Sequence, residues 1–380
     1  MIKVNFEEIQ SQTIAYLRFP LTILVFYIHM NPQENSNYVE MNNILWSNGL
    51  NLQEVYSILG TSISIFSNIA VPSFFVFAGF LFFYRIENWN LSYYLKNVSK
   101  RIKTLCIPYI IWNIMPVFLS IFFIIIKHES LFDYLTSLWN NGILHIFWNS
   151  TTWDVNFVNI FGWSQQLWGP QNLPLWFLRD LIIICFLSPI LLLGIKYLKK
   201  YFLFLLGICY LLNLWPNIPG FSITSFFFFS LGSSFGFYKK NMVIEFSKFR
   251  YIFGAIAIVT LILSIIYKGM DFTKITMQLY IMTGVFSVFI ITAFLIQNEK
   301  IKVNAFLSKS SFFLYCFHSI AVLTISHRIL IKIFGTENLL CVISSYLLSP
   351  FLCAIICLSI FFLLKKITPG LLNILTGNRN

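Results

Sequence analysis

Stretches long enough to cross a lipid bilayer follow one another along nearly the whole 380-residue chain. A hydrocarbon core needs ~20 apolar residues of helix to span it. Such windows fall near 13–31, 61–84, 104–127, 174–195, 200–215, 221–238, 251–268, 276–297, 311–334 and 341–364. In lipid each backbone N–H and C=O must be satisfied within its own segment, which leaves the α-helix as the conformer for a lone apolar window. The pattern predicts an all-α fold, a polytopic membrane protein with about ten transmembrane helices. Composition agrees: 11% of residues are charged and the mean hydropathy is +0.76, where soluble domains carry about a quarter charged residues.

The basic residues test the count. Alternate loops, together with both ends of the chain, hold 19 Lys and Arg, whereas the opposite side holds Lys127, Lys268, Lys274, Arg328 and Lys332. That asymmetry predicts an even number of crossings with both termini cytoplasmic. The net charge of +12 is then a topological signal, and nucleic acid is not an expected partner. The seven cysteines (106, 185, 209, 316, 341, 353 and 357) lie in or beside apolar stretches without CxxC spacing. They read as buried free thiols, and no metal is expected. The first window contains Arg18 and no small-x-small site follows it, so it reads as a retained span and not a cleaved signal.

The chain reads as a single membrane domain, 1–380, with two long outer loops, about 32–60 and 128–173. The first carries Glu34, Glu40 and Glu54 and no Lys or Arg. The second, with Trp176 just beyond it, supplies Trp139, Trp148, Trp153, Trp163 and Trp168. These indoles form either an interfacial aromatic belt or a lid that stacks on sugar rings. The Asn, Ile, Lys and Phe bias suggests an AT-rich bacterial genome, hence an inner (plasma) membrane location.

Ionisable residues inside the spans carry the functional signal. Arg18 and His29 stand ten residues apart in LRFPLTILVFYIHM. On a helix they share a face about 16 Å apart along the axis. An ionisable group in the bilayer core costs roughly 2.5–3.5 kcal/mol on insertion scales. The pair is therefore either a functional site or a snorkelling arginine with an interfacial histidine. Ser311, Tyr315 and His318 fall at i, i+4 and i+7 in SKSSFFLYCFHSI, one face of a helix that could line a cavity. LPLWFLRDL puts Trp176 and Asp180 on a common face, whereas Arg179 and Asp180, as neighbours in sequence, are expected to have different partners. Arg101 and Lys103 lie at the cytoplasmic mouth of the third span, with Pro108 expected to kink it. They serve either topology or the docking of a phosphorylated cosubstrate. His128, His145 and His327 have no polar partner at helical spacing and read as surface residues. No GxSxG, P-loop, HExxH or GxGxxG occurs in a usable context.

These segments, taken in order, resemble the integral membrane acyltransferases of acyltransferase family 3. Arg18-x10-His29 resembles the family's first-helix signature, and VPSFFVFAGFLF (71–82) is similar to its second helix. KRIKTLCIPYIIW (100–112) and LWFLRDL (175–181) resemble the openings of the third and fourth helices. FFFFSLGSSFG (226–236) resembles the glycine-bearing sixth, and SKSSFFLYCFHS (308–319) the Ser…Tyr-x-x-His segment. Ala78 departs from the serine common before Gly79. The resemblance implies transfer of an acyl group, most often acetyl from cytoplasmic acetyl-CoA, to a hydroxyl of an extracytoplasmic or lipid-linked glycan. Arg18, with Arg101 and Lys103, would hold the acyl-CoA cosubstrate. His29 would act either as general base or as covalent acyl carrier. His318 or Tyr315 would assist the thiolate or an oxyanion. Trp176, Arg179 and Asp180 would bind the acceptor. The membrane lipids are the remaining partners. A transporter or flippase for a glycan or lipid-linked precursor is the alternative, and paired, broken helices would favour it. A non-catalytic scaffold in a polysaccharide synthesis complex is a third reading.

Overall fold

The first helix in the chain is also the one at the centre of the bundle. The computed structural model describes residues 5–30, 52–84, 89–142, 144–148, 151–158, 164–216, 218–336 and 338–379. Helix α1 spans Phe6–Ile28 and touches each of the helices defined below as α2, α3, α14, α15 and α17. It starts well before the apolar window because Asn5 caps it, accepting the Glu8 N–H at 3.3 Å. Glu7 and Glu8 in its first turn suit the positive end of the helix dipole.

Helices α2 (Leu52–Ser67) and α3 (Ala70–Phe83) run on as one span. Helix α4 (Leu91–Arg101) passes through a widened π-turn, Ile102–Cys106, into α5 (Ile107–Ile126). The following loop folds as α6 (Leu131–Asn141), α7 (His145–Trp148) and an antiparallel hairpin. In the hairpin, β1 (Thr151–Val158) pairs with β2 (Ser164–Gly169). A 3₁₀ turn, Leu173–Leu175, leads into α8 (Trp176–Phe186), α9 (Ser188–Leu193) and α10 (Lys200–Leu211). Then come α11 (Ile223–Phe237), α12 (Met242–Ser247), α13 (Arg250–Ile266) and α14 (Thr273–Gln297). The chain closes with α15 (Ala305–Phe317), α16 (Leu323–Phe334), α17 (Leu339–Ile367) and α18 (Pro369–Thr376). The hairpin apart, the regular elements of the described residues are all helical, as expected. Among the described residues, six helices are long and apolar enough to cross a bilayer, and a bent pair makes a seventh. The shorter apolar helices Lys200–Leu211, Ile223–Phe237 and Arg250–Ile266 coincide with the three expected windows that remain.

Glycines decide how α3 meets α11. A Cβ on Gly79 would lie 2.1 Å from the Phe229 carbonyl oxygen, and one on Gly232 only 1.9 Å from that of Val76. Gly236, four residues on, would meet Phe80 O at 2.5 Å. The two backbones touch, the geometry that small-xxx-small spacing permits between membrane helices. Ala78 is only half-buried, so the departure from serine falls beside this crossing and not in it.

Two spans expected to be continuous are broken. Ser188-Pro189 bends the fourth by 64°, because proline cannot continue the helical ladder. The freed Phe186 carbonyl accepts the Tyr94 hydroxyl at 2.8 Å. The ninth breaks at His318–Val322, where Ala321 takes φ 64 without being glycine. Two smaller expectations also need correction. His327 is half-buried, with Nδ1 3.0 Å from Ser349 Oγ, a partner supplied by the next helix. All seven cysteines are free, but Cys106, Cys209 and Cys341 are only partly buried.

Candidate active site

The last turn of α1 delivers His29 to the middle of the molecule. His29 is the residue after the helix, φ −88 and ψ 0, its N–H reaching Val25 O and Phe26 O. Its imidazole lies 5.5 Å from that of His318, centroid to centroid. His318 is fully buried and stacks on Phe26 at 4.5 Å. Its Nδ1 sits 2.8 Å from the Tyr315 carbonyl. A carbonyl can only accept, so Nδ1 carries the proton and Nε2 presents a lone pair. That Nε2 is buried without a partner.

The break after α15 is held by a residue that the sequence reading missed. The backbone N–H of Asn172 donates to Asn113 Oδ1 at 3.0 Å. Its Nδ2 donates to the carbonyls of Trp112 and Cys316, and its Oδ1 accepts the Ser319 hydroxyl at 2.6 Å. The Cys316 carbonyl lies at the end of α15, where the break disrupts the regular helical ladder, and Asn172 satisfies it from another segment. The Tyr315 hydroxyl donates to Pro174 O in the adjoining 3₁₀ turn. Ser311 spends its hydroxyl on Leu307 O at 2.7 Å, so of the expected Ser–Tyr–His face only Tyr315 and His318 reach the site.

Two cavities meet at His29. One, of about 650 Å³, is also lined by Tyr315, Trp176, Asp180, Trp215 and Gln278. The other, about 350 Å³, runs along the broken segment past Asn172, Ser319 and Thr324. Gln278 Oε1 is buried without a hydrogen bond, an orphan acceptor in the wall of a space large enough for a monosaccharide. Trp215 and Gln278 escaped the sequence reading because nothing local marks them. Trp176 and Asp180 share the cavity wall, as their spacing implied.

Arg179 and Asp180 do not have separate partners. Both Nε and an Nη of Arg179 donate to Asp180 Oδ1 at 3.1 Å, with both side chains buried. The long arginine side chain curls back along the first turn of α8, a reach that the rule against adjacent pairs overlooks. The remaining guanidinium nitrogen donates to Trp148 O, and Asp180 Oδ2 accepts the Ser222 N–H. The pair thus pins the outer loop and the start of α11 to the cavity wall. Of the other loop tryptophans, Trp139 is exposed. The side chains of Trp153, Trp163 and Trp168, and residues Glu34 and Glu40, lie outside the described residues.

Midway along α1, Arg18 is exposed although its neighbours Leu17 and Leu21 are buried. Arg101 lies over the Phe82 ring at 5.3 Å, and its Nε is buried without a partner. Lys103, two residues on, is exposed. Among the described residues neither arginine has a carboxylate within ion-pair distance.

A model of the acyltransferase domain matches residues 12–364. The chain belongs to acyltransferase family 3. The succinoglycan biosynthesis protein ExoH of Rhizobium meliloti (strain 1021) is 27% identical over 326 residues, covering 82% of this chain and 79% of its own. No solved structure matches. The acyltransferase match takes in Arg18, His29, the α3–α11 crossing and His318, and stops short of α18.

Proposed function

We propose that this acyltransferase moves an acyl group, acetyl in the simplest case, from cytoplasmic acyl-CoA to a hydroxyl of a cell-surface or lipid-linked polysaccharide. The observation that carries the reading is the placement of His29, backed by a second buried imidazole and opening on two cavities. The polysaccharide acceptor rests on the likeness to ExoH. On this reading the three short apolar helices also cross, for ten crossings in a bacterial inner membrane with both ends in the cytoplasm. The basic loops support that orientation.

Arg18, Arg101 and Lys103 fit a polyanionic donor. Arg18 and Arg101 lack carboxylate partners, and a guanidinium offers paired donors to phosphate. Lys103 adds positive charge at the rim. In the larger cavity Trp176 and Trp215 offer flat apolar faces to a sugar ring, and Gln278 an acceptor to its hydroxyls. His29 takes the proton of the attacking hydroxyl as its oxygen bonds to the thioester carbon. The C–S bond then breaks and the proton passes to the departing thiolate, giving an ester and free CoA. Acyl transfer through His29 itself is the other route, with the same products.

The broken spans favour one competing reading, a glycan transporter. Mass spectrometry of surface glycans from cells carrying His29→Ala, at matched protein level, separates the two. Loss of acyl groups from otherwise normal glycan is the expected result. Unchanged acylation removes the enzyme reading as stated, and loss of the glycan from the surface favours transport.

A further inference from the structure

The segment after the last span folds back into the bundle. Thr368 turns the chain with φ −135 and ψ 65, and Pro369 starts α18, which lies against α5 and α15. Leu372 and Leu375 are its buried face, and the Leu375 carbonyl accepts the Trp112 indole N–H at 2.9 Å. The helix ends on Gly377, left-handed at φ +62, where a Cβ would stand 2.2 Å from Thr104 O. Only glycine permits both that conformation and that approach. The turn therefore presses the chain onto the π-turn that follows Arg101.

Two residues later comes Arg379. Its guanidinium lies 3.9 Å over the Phe312 ring of α15, just beyond the glycine that packs on the π-turn after Arg101. The terminal turn thus carries Arg379 back to the stretch that follows Arg101, and among the described residues Arg18, Arg101 and Arg379 have no ion-pair partner. Cations that serve topology alone need no protein contact, and Lys365 and Lys366 on the preceding helix are exposed. Arg379 is instead partly buried against an aromatic ring with no ion-pair partner among the described residues, an arrangement that favours an anion beside it.

We propose that Arg379 is a third phosphate-binding residue of the donor site, presented by α18 and its left-handed turn. The proposal rests on the reading of Arg18 and Arg101 as the donor clamp. The ligand class is an acyl thioester of a nucleotide bearing several phosphates. An anionic lipid headgroup offers similar chemistry, so the test includes both.

Coenzyme A binding to the purified full chain is measured by calorimetry for the unaltered protein, Arg379→Gln and Arg379→Lys. Hydrogen exchange of residues 369–379 in the unaltered protein supplies a readout that needs no variant. Glutamine should weaken binding about tenfold or more, as expected for a lost charge-assisted contact. Lysine should fall between, and coenzyme A should slow exchange at 369–379. Equal binding by all three proteins without that protection overturns the inference and leaves the donor reading standing. Absence of binding to the unaltered chain overturns both. Tighter binding by Arg379→Gln makes the arginine an obstacle and overturns the inference. So does an unchanged coenzyme A affinity accompanied by weaker binding to phosphatidylglycerol nanodiscs than the unaltered chain shows, which assigns the residue to lipid.

Discussion

His29 and His318 come from the two ends of the chain and lie ring to ring, 5.5 Å between centroids. The Tyr315 carbonyl fixes the proton of His318 on Nδ1, so any service it gives at the site runs through Nε2. Asparagine at 318 keeps an amide able to donate to that carbonyl and leaves nothing where Nε2 was. His318→Asn should therefore fold normally and lose about 10²-fold or more in acyl transfer, the scale of a lost acid–base partner. In-vitro transfer rates, read beside thermal unfolding in detergent, decide it. Near-normal turnover would leave His318 a structural residue.

Arg18 differs from lysine in the fork of its guanidinium, not in its charge. Arg18→Lys keeps a cation at the same place on α1. If contact with phosphate or thioester is what the residue supplies, lysine should raise KM for the acyl donor severalfold and lower turnover, with acceptor KM unchanged. Steady-state kinetics with each substrate varied in turn makes the comparison. Wild-type constants would argue against clamping there.

The Arg179–Asp180 pair makes a prediction about sign. Both side chains are buried, and Arg179→Met leaves the Asp180 carboxylate without its counter-ion. That substitution should cost about 3–5 kcal/mol, whereas replacing both by apolar residues should cost much less. Unfolding temperatures of Arg179→Met, Asp180→Leu and the double variant give the order. A double variant less stable than either single one would contradict the account. Polysaccharide acylation should fall in all three, because the pair also ties Trp148 and Ser222 to the cavity wall.

What could be read beforehand follows from how local each signal is. Span positions were legible because hydropathy needs only the segment itself. Arg18 and His29 stood out because charge is costly in an apolar run. The break at His318–Val322 was not legible, for FHSIAVL contains neither proline nor glycine. It persists because Asn172, far away in sequence, satisfies a carbonyl at the break. Asn172, Gln278 and Arg379 gain their meaning only from neighbours that folding brings in. Arg179–Asp180 was misread because a spacing rule for short side chains was applied to a long one.

The helix crossing of α3 and α11 should tolerate no side chain on its glycines. Gly232→Ala places a methyl 1.9 Å from Val76 O, which forces the helices apart and should cost at least ~1–3 kcal/mol. Gly254, inside α13, has nothing within 4 Å of its Cβ position. There alanine should be neutral or stabilise by roughly 0.5–1 kcal/mol through helix propensity. Detergent-solubilised yield and melting temperature should fall for Gly232→Ala and hold or rise for Gly254→Ala.

Gln278 separates folding from function. Its Oε1 is buried in the wall of the larger cavity without a hydrogen bond, and an unsatisfied acceptor costs about 1–3 kcal/mol. Gln278→Leu removes that cost with little change of shape, so the variant should melt at the same temperature or higher. If Oε1 awaits a hydroxyl of the acceptor, the same change should raise acceptor KM about tenfold. Donor KM, and any slow hydrolysis of the thioester without acceptor, should stay as they were. A variant that gains stability and keeps its acceptor KM would show that the sugar is bound elsewhere, and would move the acceptor subsite to the smaller cavity along Ser319 and Thr324.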